Sequence, residues 1–132
     1  MDHTQIEAGM QALCALDADI ASAFSTFGAP PPRLRPAGFP TFVATIVSQQ
    51  ISTAAAQAIM ARVNALLPEM TPTQLLAIDD AALRQAGLSR RKVEYAKGLA
   101  KAIVDGAFAV DRLAAMSDND AIAQITSLRG FG

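Results

Sequence analysis

Apolar residues recur every three or four positions through most of this chain, and the two-residue alternation of a half-buried strand is nearly absent. Ile6, Met10, Leu13 and Leu16 space a first helix over about 4–16. Asp17 and Asp19 open a second, with Ile20, Ala23, Phe24 and Phe27, and Gly28 stops it. Four prolines between positions 30 and 36 are incompatible with a helix, so 29–38 reads as an extended internal linker. Phe39, Phe42, Val43, Ile46 and Val47 then fall on one helical face. Ser52 is placed to cap the next helix, "TAAAQAIMARVNALL", whose nearly all-round apolar surface predicts a position in the middle of a bundle. Thr71-Pro72 is a cap followed by proline at the first helical position. Asp79 caps a short segment that Gly87 ends. Ser89 opens a longer helix to about 105, with Val93, Ala96, Leu99, Ala100 and Ile103 inward and Gly106 closing it. Ser117 starts the last helix, with Asp118 and Asp120 where the helix dipole favours acids, and it runs into "SLRGFG". The pattern predicts an all-α helical bundle, a single domain over 1–132.

Composition narrows the class. The chain has 132 residues, 52% of them hydrophobic, and a mean hydropathy of +0.27. Much of the apolar content is alanine, and no uninterrupted apolar stretch approaches the roughly 18 residues of a spanning helix, so no membrane partner is expected. The opening "MDHTQIEAGM" lacks a basic region followed by an apolar one, which predicts no secretion signal. The single cysteine, Cys14, permits no internal disulfide and fits a reducing compartment, hence a cytoplasmic protein. Net charge is −1, which does not advertise nucleic-acid binding, but its distribution is uneven. Residues 1–32 carry Asp2, Glu7, Asp17 and Asp19 with no Lys or Arg. Residues 84–101 carry six basic residues against Glu94, a candidate positive patch of +5.

Three stretches hold candidate chemistry. In "RGFG", Gly130 and Gly132 let the backbone turn tightly after a helix. The turn is either an ordinary helix stop or half of a helix-hairpin-helix, whose amides cradle a phosphate. In "IVSQQIS", Gln49 and Gln50 interrupt an apolar helix just before a cap. Each amide must be satisfied at a cost of about 1–3 kcal/mol otherwise. They either bond loop carbonyls and hold the turn, or one probes a ligand at the helix end. In "LSRRKVEYAKGLAKAI", Arg90, Arg91 and Lys92 crowd the first turn of a helix, where cations oppose the dipole. They form a solvated face or meet phosphates.

Taken in this order, "FPTFVATIVSQQISTAAAQAIMARV", "LRQAGLSRRKVEYAKGLAKAI" and "AIAQITSLRGFG" resemble the helix-hairpin-helix DNA glycosylases, most closely the bacterial 3-methyladenine DNA glycosylase II family. The resemblance covers about 16–132. It implies the all-α glycosylase fold, ending here in an incomplete hairpin. It also implies a partner, double-stranded DNA with a damaged base that is flipped out before its N-glycosidic bond is hydrolysed. By position, Gln50 is the expected wedge that fills the gap of the flipped base, Gln49 approaches the opened pair or braces the wedge, and Ser52 caps the helix behind them. Arg90, Arg91, Lys92 and Arg129 are expected DNA contacts. Gly130 and Gly132 offer amides to a lesion-strand phosphate, and the carbonyls of Thr126, Leu128 and Phe131 are the expected ligands of a structural monovalent cation, with no other cofactor required.

The same resemblance implies a shortfall. In the family, a Trp-containing stretch and a catalytic aspartate follow the hairpin, and neither is present. Asp79, Asp80, Asp105, Asp111, Asp118 and Asp120 sit at caps and first turns. The expected catalytic Asp therefore falls beyond Gly132, and the chain is expected to be a truncated, inactive portion of a monofunctional hydrolase. Ile122, Ile125 and Leu128 are then expected to lie exposed, which would leave the last helix frayed or paired with a second copy. A non-catalytic DNA-binding module and a helical protein-interaction domain are the competing readings. Phe24, Phe39, Phe42 and Tyr95 are the aromatic candidates for a base pocket, or simply core.

Overall fold

Helix starts in this chain are set by side-chain oxygens. Asp2, Asp17, Ser52, Thr71, Ser89 and Ser117 each accept a backbone N–H two or three residues on. A computed structural model describes residues 1–132 and shows eight α-helices and no strand. They are α1 His3–Cys14, α2 Ala18–Phe27, α3 Phe39–Ser48, α4 Thr53–Leu66, α5 Pro72–Ala77, α6 Asp80–Gln85, α7 Arg90–Val104 and α8 Asp118–Thr126. A 3-10 helix, Val110–Ala115, joins α7 to α8 where the sequence offered no signal. Asp79 precedes α6 without the side-chain bond expected of it. No helix is long and apolar enough to cross a membrane.

The backbone divides into two compact units, Met1–Pro36 and Ala37–Gly132, and the division falls inside the proline-rich segment. The first unit is the α1–α2 pair followed by extended chain, and neither helix contains a buried residue. The second unit holds a continuous core. Phe39, Val43, Ile46 and Val47 of α3 lie at i, i+4, i+7 and i+8, and all four are buried. They meet Leu75 of α5, Leu83 of α6 and Val93, Ala96, Leu99 and Ala100 of α7. Ile46, Leu75, Leu83, Val43, Val47 and Val63 are fully buried, each worth about 1.5–3 kcal/mol relative to exposure.

The centre of this core is α7, which packs on α3, α5 and α6. The alanine-rich α4 is not central. It buries only Ala56 and Val63 and packs on α3 along one edge. An alanine side chain removes little area from water, so a helix apolar by count can still lie at the periphery. The last helix also departs from expectation. Ile122 is 58% exposed, but Ile125 and Leu128 pack against the core, and α8 is formed through Thr126.

Three helix C-termini share one device. Lys92 Nζ donates to the Val47 and Gln49 carbonyls at the end of α3, at 2.7 and 2.8 Å. Lys97 Nζ donates to the Ile78 carbonyl after α5 at 2.7 Å. Arg62 Nε donates to the Ala86 carbonyl after α6 at 2.7 Å. In each case a cation from another helix meets the partial negative charge of unsatisfied terminal carbonyls.

Candidate nucleic-acid interface

The end of α3 and the end of α8 face each other across one open cavity of about 630 Å³. Three segments far apart in sequence line it: Gln49 and Gln50; Ser89, Arg91, Lys92 and Tyr95; and 126–130 with Gly132. Arg91, Lys92 and Arg129 are cations, and no Asp or Glu contributes to the lining.

Each segment is held there for a local reason. After Ser48 the chain leaves the helix at Gln49 (ψ 129°), and Gln50 takes φ +56°. A non-glycine residue in this left-handed region costs roughly 1–2 kcal/mol. The kink leaves Gln50 exposed on the cavity rim. Gln49, half-buried, lines the same cavity, and its Nε2 donates to the Gly130 carbonyl at 2.8 Å.

The glycine turn is pinned from three sides. Gly130 has φ +98°, and a Cβ placed on it would lie 2.5 Å from the Tyr95 ring. Phe131 directs its ring into an aromatic cluster, edge-on to Phe42 at 5.4 Å, and Phe42 meets Phe108 at 5.5 Å. Within the turn, Leu128 N–H bonds to the Ile125 carbonyl and Phe131 N–H to the Leu128 carbonyl, both at 3.1 Å. The amides of Arg129, Gly130 and Gly132 have no acceptor within the chain. Free amides on a tight turn can receive an anion.

The sequence-predicted residues divide. Gln49, Gln50, Arg91, Lys92, Arg129, Gly130 and Gly132 converge on the cavity; Ser52 and Arg90 do not line it. Ser52 caps α4 through the Ala55 amide at 3.2 Å. Arg90 borders a separate groove with Arg84 and Gln85. Lys92, expected to meet phosphate, is occupied by the two α3 carbonyls, and burial pushes its ammonium below the ordinary lysine value of 10.5. Arg129, expected as a DNA contact, pairs with Glu94, and both side chains stay exposed. The +5 patch is thinner than its count, since Lys92 and Lys97 serve helix ends and Lys101 pairs with Asp105 at 2.8 Å. Arg91 is the cavity-lining cation without a partner in the chain.

Thr126 and Leu128 line the cavity, and Phe131 does not. The Thr126 carbonyl receives no backbone hydrogen bond, and the Leu128 carbonyl, which accepts Phe131 N–H, keeps one lone pair. Carbonyl oxygens of this kind suit a hard monovalent cation. Phe39 is core, while Tyr95, read as packing or pocket, lines the cavity half-buried. Its position one helical turn after Arg91 was the available signal.

Free turn amides and an unpaired cation beside one cavity form a site able to receive anions. Residues 43–128 match the family described as HhH-GPD superfamily base excision DNA repair protein, and the chain belongs to that superfamily. It is 32% identical over 104 residues to the DNA-3-methyladenine glycosylase of Saccharomyces cerevisiae, covering 71% of this chain and 35% of the yeast protein. The structure of a DNA-3-methyladenine glycosidase from Bacillus halodurans superposes with a TM-score of 0.76 at 32% identity, over 89% of this chain and 55% of that one. The Schizosaccharomyces pombe 3-methyladenine DNA glycosylase, solved in complex with abasic DNA, gives 0.81 at 25% identity, over 93% and 63%. The chain thus spans between about a third and two thirds of the length of these relatives.

Proposed function

We propose that this chain binds damaged duplex DNA as part of base excision of alkylated, 3-methyladenine-type bases, with the cavity receiving the lesion strand. The observation that carries this reading is the convergence of Gln50, Arg91 and the Gly130 turn on one cavity free of carboxylates. Gln50 enters the space left by the flipped base. The amides of Gly130 and Gly132 take a phosphate, and Arg91 takes another. A monovalent cation on the Thr126 and Leu128 carbonyls, with that of Phe131, would add positive charge beside the same phosphate.

Hydrolysis of the glycosidic bond needs a carboxylate to stabilise the oxocarbenium-like sugar. No Asp or Glu lines the cavity, so residues 1–132 carry the binding and wedging, and the hydrolytic step falls to none of the cavity residues. On this reading the chain works on DNA, and its likeness to 3-methyladenine DNA glycosylases points to the damaged base.

Titration of a duplex with a central abasic analogue, and of the intact duplex, between 50 and 200 mM salt is the test. With one or two phosphates neutralised by side chains, log affinity should fall against log salt with a slope of about −1 to −2. Arg91→Ala should weaken both duplexes equally and flatten the slope by about 0.9. Gln50→Ala should chiefly reduce the preference for the abasic duplex. Binding that is absent or independent of salt would leave a helical interaction domain as the better reading.

A further inference from the structure

A chain of polar contacts runs along the cavity wall. Lys92 Nζ holds the Val47 and Gln49 carbonyls, and the Gln49 side chain holds the Gly130 carbonyl at 2.8 Å. These three bonds tie α7, the Gln49–Gln50 turn and the glycine turn together, at sequence separations of 45, 43 and 81 residues. An ammonium engaged in this way is not free to meet a phosphate, although it borders the cavity.

We infer that Lys92 is a positioning residue for lesion recognition: by fastening the Gln49 backbone it fixes the turn that carries Gln50, and through the Gln49 amide it fixes the glycine turn opposite. The inference rests on the proposed DNA reading. Its physical basis is that the backbone has to hold Gln50 at φ +56° against local preference. Such a conformation persists only where its surroundings over-determine it. The bonds on either side of Gln50's neighbour supply that constraint. Burial of the ammonium agrees with a structural engagement, and the carbonyls of an α3 terminus suit a cation.

A positioning role and a phosphate contact predict different salt behaviour. Abasic-analogue and intact duplexes are titrated across the same salt range with wild type, Lys92→Met, Gln49→Ala, the double variant and Arg91→Ala. Circular dichroism establishes that each is folded at the working temperature. Lys92→Met, which removes the bonds to the Val47 and Gln49 carbonyls, is expected to keep the wild-type salt slope and to lower the abasic-to-intact preference about fivefold, the scale of the single bond that holds the Gln49 turn. Gln49→Ala should do the same, and the double variant should lose no more than the more severe single one, because the bonds act in series. Should Lys92→Met not fold, Gln49→Ala carries the test from the other end of the tie. A slope flattened as in Arg91→Ala would make Lys92 a phosphate contact and overturn the inference. An unchanged preference in Lys92→Met and Gln49→Ala would reduce the tie to fold stability and overturn it too. Wild-type chain that binds neither duplex removes the DNA reading, and this inference with it.

Discussion

At the scale of single residues, the site depends on two backbone positions in the left-handed region, Gln50 and Gly130, which present opposite chemistry. Gln50 keeps a side chain there, and Gly130 has no room for one. Gly130→Ala would place a methyl against the Tyr95 ring and adopt an unfavourable φ. It should cost about 2–4 kcal/mol in urea unfolding, from overpacking and the left-handed conformation together. Tyr95→Ala in the same chain should recover the steric part, so the two changes should be strongly non-additive. A simple sum of single effects would show that the ring contact is not what excludes the methyl. The glycines and glutamines were legible in the sequence, because tight turns need glycine and buried amides need partners. Local chemistry did not say which glutamine was which; only the family resemblance separated them. Gln49 took the loop-carbonyl role through Gly130, a partner 81 residues away.

At the scale of helices, starts were easier to read than ends. Ser52, Thr71, Ser89 and Ser117 cap amides within three residues, so the sequence contains both partners. The ends of α3, α5 and α6 are completed by Lys92, Lys97 and Arg62 from other helices, and no local pattern reveals such pairs. For the same reason Lys92 looked like a phosphate contact. Its burial has a pH consequence. With the folded value below 10.5, the unfolded chain binds more protons between that lowered value and 10.5, and stability should rise with pH across that window. Below the window both states carry the charge and the contribution is flat. The carbonyls it meets offset part of the burial. Urea midpoints of wild type minus Lys92→Met should therefore climb towards pH 10.5, and a falling difference would mean the ammonium is stabilised, not penalised, by its site.

For the whole molecule, a net charge of −1 coexists with a cavity lined by three cations and no acid. Attraction for a polyanion is therefore local, and Glu94 tempers it by holding Arg129 at the rim. The pair is exposed and worth at most about 1 kcal/mol, so a phosphate can displace it. Glu94→Gln should strengthen binding to both duplexes equally and steepen the salt slope by up to about 0.9, read from the same titrations. The all-helical class and the family were legible because three long blocks kept their order and spacing. The cavity was not, since it exists only once α3, α7 and the final turn meet. Nor was the peripheral place of α4, because counting alanines as apolar overstates how much each needs burial.

Phe131 gives this chain a spectroscopic consequence. Its ring lies edge-on to Phe42 while the adjoining glycines border the cavity. A fluorine label on that ring would sit in the magnetic field of a neighbouring aromatic, on the residue between the two free glycine amides. Occupancy of the turn should then move a single resonance, reporting on engagement at the rim from a half-buried ring packed against the core.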